Sequence, residues 1–208
     1  MKTIAFAARK GGCSKSTLVA HLAVEAAKKQ PVTLIDTDSQ QTLTAWWDDR
    51  QNEAGLRMVD VRLEKLAGEL SNLVDTPGLV LIDTPPMENQ TIMAVIGMAD
   101  LVIIPCKPSP NDLRGVAATV EMCKVANKPF IFVIAQAIPR TNIAEQARSV
   151  LASIGRVVPT VMHNRVDYAA SMADGRTAPE LFPNGKAAAE VTGIWRYLSQ
   201  QLSKTATK

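Results

Sequence analysis

The chain of 208 residues carries a formal net charge of +3 and is 47% hydrophobic but only 4% aromatic. These values exclude a broadly disordered chain and a polycationic tail, and they suit one domain over residues 1–208 with an aliphatic core. Three cysteines lie far apart, and no Cys/His cluster, signal peptide or membrane span is evident, so we expect a cytoplasmic protein with reduced thiols and no stable membrane insertion.

Short aliphatic runs alternate with longer helical segments along most of the chain. Uninterrupted apolar runs predict strands at Thr3–Ala7, Val32–Ile35, Arg57–Val61, Leu79–Ile82, Leu101–Pro105 and Phe130–Ala135. Helical spacing predicts helices at Ser16–Lys29, Gln40–Asn52, Leu63–Leu73, Asp112–Ala126, Ile143–Ile154, Arg165–Ala173 and Ala187–Leu202, before a polar tail at Ser203–Lys208. This alternation predicts an α/β fold, a doubly wound, mostly parallel sheet with helices on both faces and ligands at the carboxyl ends of the strands.

The first predicted strand leads directly into a segment with the composition of a phosphate-binding loop. Its two glycines can turn several N–H groups toward one anion, and the helix that follows adds the partial positive charge of its N-terminus. In such a loop Lys15 reaches the β- and γ-phosphates, the Ser16 hydroxyl binds Mg²⁺ and Thr17 lies near the α-phosphate. The predicted nucleotide-binding residues of the loop are Gly11, Gly12, Cys13, Ser14, Lys15, Ser16 and Thr17.

Carboxylates follow two of the predicted strands. Asp36 and Asp38 come at the end of the second strand, and Asp83 comes at the end of the fourth. Since the carboxyl ends of parallel strands meet at one edge of a sheet, these side chains are expected beside the phosphate loop. A phosphoryl-transfer site needs Mg²⁺ and a group that places the attacking water, and carboxylates can serve both purposes.

These motifs resemble those of the ParA/MinD family of ATPases. Residues 10–17 are similar to the deviant Walker A sequence K-G-G-x-G-K-[ST]-T, and D-x-D-x-Q at 36–40 resembles the family's switch I. The sequence I-D-T-P-P at 82–86 resembles its switch II, and residues 99–112 look like a further family segment. The resemblance covers nearly the whole chain and implies a P-loop NTPase fold of the SIMIBI type that binds ATP and Mg²⁺.

The resemblance also implies roles for individual side chains. Asp38 would orient the attacking water, and Asp83 would hold Mg²⁺ through a water while Asp36 supports the magnesium shell. Lys10 would cross to the nucleotide of a second copy, which implies an ATP-dependent homodimer. The catalytic set is then Lys10, Lys15 and Asp38, the metal set is Ser16, Asp36 and Asp83, and further nucleotide contacts come from Pro108, Asp112 and Gln136.

Ser14 is the main departure from the family pattern, which has glycine at this place. Glycine is favoured there because the backbone passes close to phosphate. Serine is compatible with the loop if its φ angle stays negative, and a positive φ would weaken nucleotide binding or slow hydrolysis. We expect nucleotide binding to survive.

Positive charge is concentrated in the last third of the chain. From Pro139 onward nine basic residues oppose five acidic ones, so this part carries +4 and the remainder −1. In ParA-type proteins a C-terminal basic surface binds DNA without sequence preference, and ordinary surface charge is the alternative explanation here. The candidate DNA contacts are Arg156, Arg165, Lys186, Arg196 and Lys204.

Two cellular functions remain open at this stage. A ParA-type protein would be nucleoid-associated and would distribute a plasmid, a chromosome locus or a protein assembly, with slow hydrolysis stimulated by a ParB-like or adaptor protein. A MinD-type protein would instead cycle on the membrane through a basic amphipathic C-terminal helix. Ile194, Trp195, Leu198 and Leu202 share one face of the last predicted helix. Because such a stripe more often packs on the sheet, we favour the ParA type.

Overall fold

The computed structural model describes residues 1–51, 55–73, 75–87 and 89–205. The strands are β1 (Lys2–Phe6), β2 (Val32–Asp36), β3 (Leu56–Val59), β4 (Leu79–Asp83), β5 (Leu101–Cys106), β6 (Phe130–Ala137), β7 (Arg156–Val157) and β8 (Met162–His163). The helices are α1 (Lys15–Ala27), α2 (Thr42–Asp48), α3 (Leu63–Leu73), α4 (Asn89–Met98), α5 (Pro110–Val125), α6 (Ile143–Ala152), α7 (Val166–Met172), α8 (Ala178–Leu181) and α9 (Lys186–Thr205).

The strands pair in parallel in the order β3-β2-β4-β1-β5-β6-β7, with β8 paired to β6. One apolar cluster joins the sheet to α1 and α9, and a second joins its other face to α3, α4, α5 and α6. The central strands are therefore covered on both faces, which explains why they read as uninterrupted apolar runs. This arrangement confirms the doubly wound parallel fold expected from the sequence.

The structure differs from the predicted helices and strands mainly in short elements and at the ends of helices. The short elements β7, β8 and α8 are missing from the predicted elements, because two-residue strands and a four-residue helix carry no periodicity. The ten-residue helix α4 is also missing, although its buried residues Ile92, Val95 and Ile96 have helical spacing. The helix predicted over 40–52 ends at Asp48, and Asn52 lies outside the described residues. The last helix extends to Thr205 into the predicted polar tail, whose residues 206–208 also lie outside the described part.

The apolar stripe of α9 faces the protein interior. Ile194 and Leu198 are fully buried, and Trp195 and Leu202 are each 7% exposed. These side chains belong to the cluster formed with α1 and the sheet, which confirms the core-packing interpretation. None of the helices in the described ranges has the length and apolarity to cross a bilayer.

The residues that follow the C-terminal end of α2 make polar contacts with the segment 175–181. Arg50 is buried and makes a two-pronged ion pair with Glu180, with Nη2–Oε1 at 2.7 Å and Nη1–Oε2 at 3.1 Å. Glu180 also caps α8 through the backbone and hydroxyl of Thr177. A Cβ at Gly175 would lie 2.4 Å from the Arg50 backbone, so only glycine fits at this contact. The polar contacts therefore fix the position of α2 relative to α8.

Candidate functional site

The phosphate loop lies at the carboxyl edge of the sheet, between β1 and α1. β1 pairs with β4 on one side and β5 on the other, and β2 pairs with β4. Asp36 and Asp83 are register partners at the ends of β2 and β4. The parallel sheet therefore brings the loop and both carboxylate-bearing strand ends together, as the sequence predicts.

Ser16 and Asp83 form the centre of the candidate magnesium site. The Ser16 hydroxyl donates to Asp83 Oδ2 at 2.5 Å. Asp83 is fully buried, and its other oxygen, Oδ1, has no hydrogen-bond partner among the described residues. Burial raises the pKa of this carboxyl to about 7. A buried carboxylate oxygen without a partner is a group that a cation would stabilise.

The donor set fits Mg²⁺. No cluster of three or more His, Cys, Asp or Glu side chains that could hold a metal occurs within the described ranges. Mg²⁺ does not need one, because it is usually held by one or two carboxylates together with substrate phosphates and waters. A hydroxyl at Ser16 and a carboxylate at Asp83, next to a phosphate loop, match this preference.

Asp36 shapes the loop that carries Asp38. Asp36 Oδ1 accepts from the Asp38 backbone N–H at 3.0 Å, and Oδ2 accepts from the backbone and hydroxyl of Thr44 at 3.0 and 3.1 Å. Asp38 in turn accepts from the Gln40 backbone at 3.0 Å. The hydrogen bonds of Asp36 therefore hold the loop from residue 37 to the start of α2, and Asp38 remains partly exposed on it.

The two lysines of the loop have different surroundings. Lys15 is 7% exposed and makes no hydrogen bond or ion pair with another described residue, so its ammonium is available for an anion. Lys10, predicted to reach a second copy, instead lies 3.1 Å from Asp112 of its own chain. Asp112 is buried and also interacts with Ser109, the N-cap of α5. Pro108 is buried immediately before that cap.

Ser14 adopts a positive φ of 67°, so the condition under which serine would fit the loop without strain, a negative φ, is not met. The residue caps α1 in the left-handed conformation, because the loop must turn there whichever residue is present. Gln136 compensates from the end of β6. Its Nε2 donates to Ser14 Oγ at 2.5 Å and to the Gly12 carbonyl at 2.9 Å. The predicted nucleotide contact Gln136 is thus a direct support of the phosphate loop.

A cavity of about 160 Å³ adjoins the loop on the side of Thr17. Glu190 organises one wall of this cavity and accepts hydrogen bonds from the side chains of His163, Arg165 and Tyr168 at 2.6 to 2.8 Å. Although burial favours its neutral form, these hydrogen bonds lower the pKa of Glu190. The cavity is lined by Ser14, Thr17, Gln136, Met162, His163, Asn164, Arg165, Tyr168, Ala169 and Met172. The cavity therefore adjoins the predicted phosphate loop on the side of Ser14 and Thr17.

The candidate DNA contacts do not form one cluster. Arg165 lies at the cavity beside the phosphate loop, paired with Glu190. Arg156 is exposed on β7 and donates to Gln201 at 3.1 Å. Lys186, Arg196 and Lys204 are exposed along α9, and the first and last of them are ~27 Å apart along the helix.

Sequence reasoning missed Lys107. This residue directly follows β5, and a methyl group placed on Gly12 would lie 3.7 Å from its Nζ. Lys107 therefore adds a third ammonium group beside the phosphate loop. The signal that could have found it is its position, since ligands of doubly wound sheets bind at the carboxyl ends of the central strands.

Comparisons with known proteins agree with this geometry. The family described as the CobQ/CobB/MinD/ParA nucleotide binding domain matches residues 4–178. The maintenance of carboxysome distribution protein A of Halothiobacillus neapolitanus is 28% identical over 198 residues, covering 90% of this chain and 91% of that protein. Protein ParA of Rhizobium radiobacter is 27% identical over 151 residues, covering 72% and 68%. The Pyrococcus horikoshii MinD structure with Mg-ADP superposes with a TM-score of 0.83 at 15% identity, covering 98% of each chain.

Proposed function

The chain belongs to the CobQ/CobB/MinD/ParA family of nucleotide-binding proteins, and from this membership we propose that it is a ParA-type ATPase that positions a cargo inside the cell. Proteins of this family are P-loop ATPases that bind ATP with Mg²⁺. The observation that carries the proposal is the hydrogen bond from Ser16 to the buried Asp83, beside the Lys15 ammonium, which has no partner among the described residues. A hydroxyl, a carboxylate and an ammonium in this arrangement are the groups that bind a magnesium-bound triphosphate.

The residues at the sheet edge divide the chemistry between them. Lys15 and the loop N–H groups would bind and orient the phosphates. Ser16 and Asp83 would hold Mg²⁺, which would supply positive charge next to the transferred phosphoryl group. Asp38 orients the attacking water from a loop that Asp36 holds in shape. A slow basal rate suits this arrangement, because Asp38 is partly exposed and its carboxylate accepts a hydrogen bond only from the Gln40 backbone within the described part of the chain.

Dimerisation, DNA binding and partner stimulation complete the proposed cycle. Two copies would dimerise with ATP once Lys10 leaves Asp112 for the nucleotide of the other copy. The dimer would bind DNA without sequence preference, and a ParB-like or adaptor protein would stimulate hydrolysis and release it. The Halothiobacillus relative is named for carboxysome distribution, which makes a protein assembly a cargo of the right kind. The protein would therefore be found in the cytoplasm, associated with the nucleoid.

The structure does not support the sequence feature that suggested a membrane-cycling protein, which was an apolar face of the last helix available to lipid. The apolar stripe of α9 is buried against α1 and the sheet, so this face of the helix is not available to lipid. We therefore retain DNA as the surface on which the protein cycles.

One assay tests the proposed function. Binding to duplex DNA of arbitrary sequence and to anionic vesicles is measured with MgATP and with MgADP across a salt series. We expect binding to DNA with MgATP that weakens as salt rises. The matched control is Lys15→Ala, which should lose nucleotide binding and with it the ATP-dependent DNA binding. Binding to vesicles but not to DNA would overturn the proposal.

A further inference from the structure

A trough runs along the edge of the sheet opposite the phosphate loop. Two cavities, of about 540 and 280 Å³, share Gly78 and Leu79 at the start of β4. The larger lies between the end of α1 and α9, and the smaller lies beneath the first residues of β2 and β3. We call the two together the basal trough.

The larger part of the basal trough is electropositive. Four cations line it, against one carboxylate, Glu25. Glu25 is already satisfied, since it accepts from Lys28 at 2.5 Å and from Thr192 at 3.0 Å. The cations are Lys2, Lys28, Lys29 and Arg196.

Two of these cations are available to a ligand. Lys29 and Arg196 are both exposed and make no ion pair with another described residue. Gln30 adds a side-chain amide to the same wall. The trough therefore presents positive charge and hydrogen-bond donors together, which is what a row of phosphates requires.

The fold assembles this surface from both ends of the chain. Lys28 and Lys29 follow the last turn of α1, and Lys2 begins β1, so three of the four cations come from the first 29 residues. The count of charges along the sequence had placed the basic excess in the last third alone. Packing of α1 against α9 brings Arg196 beside the N-terminal cations.

We infer that the basal trough is the surface on which this protein holds the phosphate backbone of duplex DNA. The inference rests on the proposed DNA binding and assigns it to particular residues. An apolar peptide or a lipid surface is disfavoured, because Trp195 and Leu202, the large apolar side chains contributed by α9, are each 7% exposed. Contacts made by cations, hydroxyls and amides read the backbone and not the bases, which gives binding without sequence preference.

The position of the trough leaves the nucleotide site free. α1 begins at Lys15 in the phosphate loop and ends at the trough, ~20 Å away along its axis. A bound nucleotide and a bound duplex would therefore occupy opposite ends of the same helix. Both could be present at once, as an ATP-dependent DNA-binding cycle requires.

The test compares two double variants of the full chain. K29Q/R196Q removes the two available cations of the trough, and R62Q/K65Q removes two exposed cations at α3 on the other face of the sheet. Affinity for a duplex with MgATP is measured by fluorescence anisotropy over a salt series. We expect K29Q/R196Q to bind about tenfold more weakly, with a log–log salt slope smaller by about two. R62Q/K65Q should bind as the wild type does.

Further measurements distinguish a misfolded variant from a wrong assignment of the ligand or of the surface. ATP binding and thermal stability of K29Q/R196Q should match those of the wild type. If either is lost, the weaker DNA binding of K29Q/R196Q is due to misfolding, and the comparison is repeated with Arg196→Gln alone. If the wild type does not bind duplex DNA, the proposed function fails and the assigned ligand fails with it. If the wild type binds and K29Q/R196Q binds equally well, only the basal trough is overturned. Equal affinity for polyglutamate and for duplex DNA would overturn DNA as the ligand.

Discussion

Gln136 Nε2 lies 2.5 Å from Ser14 Oγ, so one side-chain amide fastens the phosphate loop to the end of β6. Both residues have a left-handed backbone conformation, with φ of 67° for Ser14 and 55° for Gln136. A residue other than glycine adopts this conformation at a cost of about 1–2 kcal/mol. The hydrogen bond between the two side chains offsets part of that cost. The pair explains how the loop accommodates serine where the family pattern has glycine.

Substitution of Ser14 separates the backbone cost from the hydrogen bond. Ser14→Ala keeps the strained Cβ and loses the bond to Gln136, so we expect its free energy of unfolding to fall by about 1 kcal/mol. Ser14→Gly loses the same bond but relieves the strain, and should be about 1 kcal/mol more stable than Ser14→Ala. Urea unfolding of the three proteins measures both differences. A Ser14→Ala protein as stable as Ser14→Gly would show that the loop is not strained there.

Asp38 should be needed for turnover and not for binding. Asp38→Asn keeps a side-chain oxygen that can accept from the Gln40 backbone, so the loop retains its shape, but the negative charge proposed to orient water is lost. We expect hydrolysis to slow about 100-fold or more, with ATP affinity unchanged. Asp38→Ala should behave in the same way. Turnover at the wild-type rate in either variant would remove Asp38 from the mechanism.

Lys107 should contribute to nucleotide affinity. Its ammonium lies beside Gly12, so replacing it with glutamine removes positive charge next to the proposed phosphate site. We expect Lys107→Gln to weaken ATP binding about tenfold, and ATP more than ADP if the ammonium reaches the terminal phosphate. The matched control is Lys124→Gln, an exposed lysine in the last turn of α5. Equal affinities for the wild type and Lys107→Gln, measured by equilibrium titration, would leave Lys107 without a role in binding.

His21 should make stability fall under mildly acidic conditions. Its Nδ1 lies 2.8 Å from the Thr17 carbonyl and must donate, while Nε2 accepts from the Ala178 backbone at 3.0 Å, so the ring has to be neutral. Burial lowers its pKa to about 4. Below the ordinary value near 6.5 the unfolded chain binds a proton that the native protein does not bind. The free energy of unfolding should therefore decrease as pH drops from about 6.5 to about 4, by up to about 1.4 kcal/mol per unit.

A variant without the imidazole isolates this contribution. His21→Leu loses the two hydrogen bonds and should be less stable than the wild type at pH 7. The difference between the two proteins should narrow as pH falls from about 6.5 to about 4, because only the wild type carries the group that titrates. Urea unfolding at several pH values, without nucleotide, measures the difference. A difference that stays constant over this range would contradict the assignment.

The parts of the site that sequence reasoning predicted are local in sequence. The phosphate loop, with Lys15 and Ser16, is one short segment, and its strand and helix have clear patterns on either side. Asp83 could be placed because it ends an apolar run, and parallel strands end at one edge. The sequence could not show that Asp83 would be fully buried with one oxygen unpartnered, since burial depends on the whole sheet.

The parts that sequence reasoning missed depend on residues far apart. Glu190 binds His163, 27 positions away, and Arg50 binds Glu180, 130 positions away. No local sequence pattern predicts such pairs, because each partner, taken alone, is indistinguishable from a charged residue on the surface. Only the fold shows that the segment around Glu180 holds Arg50.

The ion pair between Arg50 and Glu180 limits how the Asp38 loop can respond to nucleotide. One end of that loop leaves β2, where Asp36 binds it, and the other end enters α2, which Arg50 anchors to α8. A span clamped at both ends cannot swing away as a lid does. We therefore expect Asp38 to move only over short distances when a nucleotide binds, through small changes in the curvature of the loop. Hydrolysis would then be governed by small adjustments of curvature and not by an opening and closing of the site.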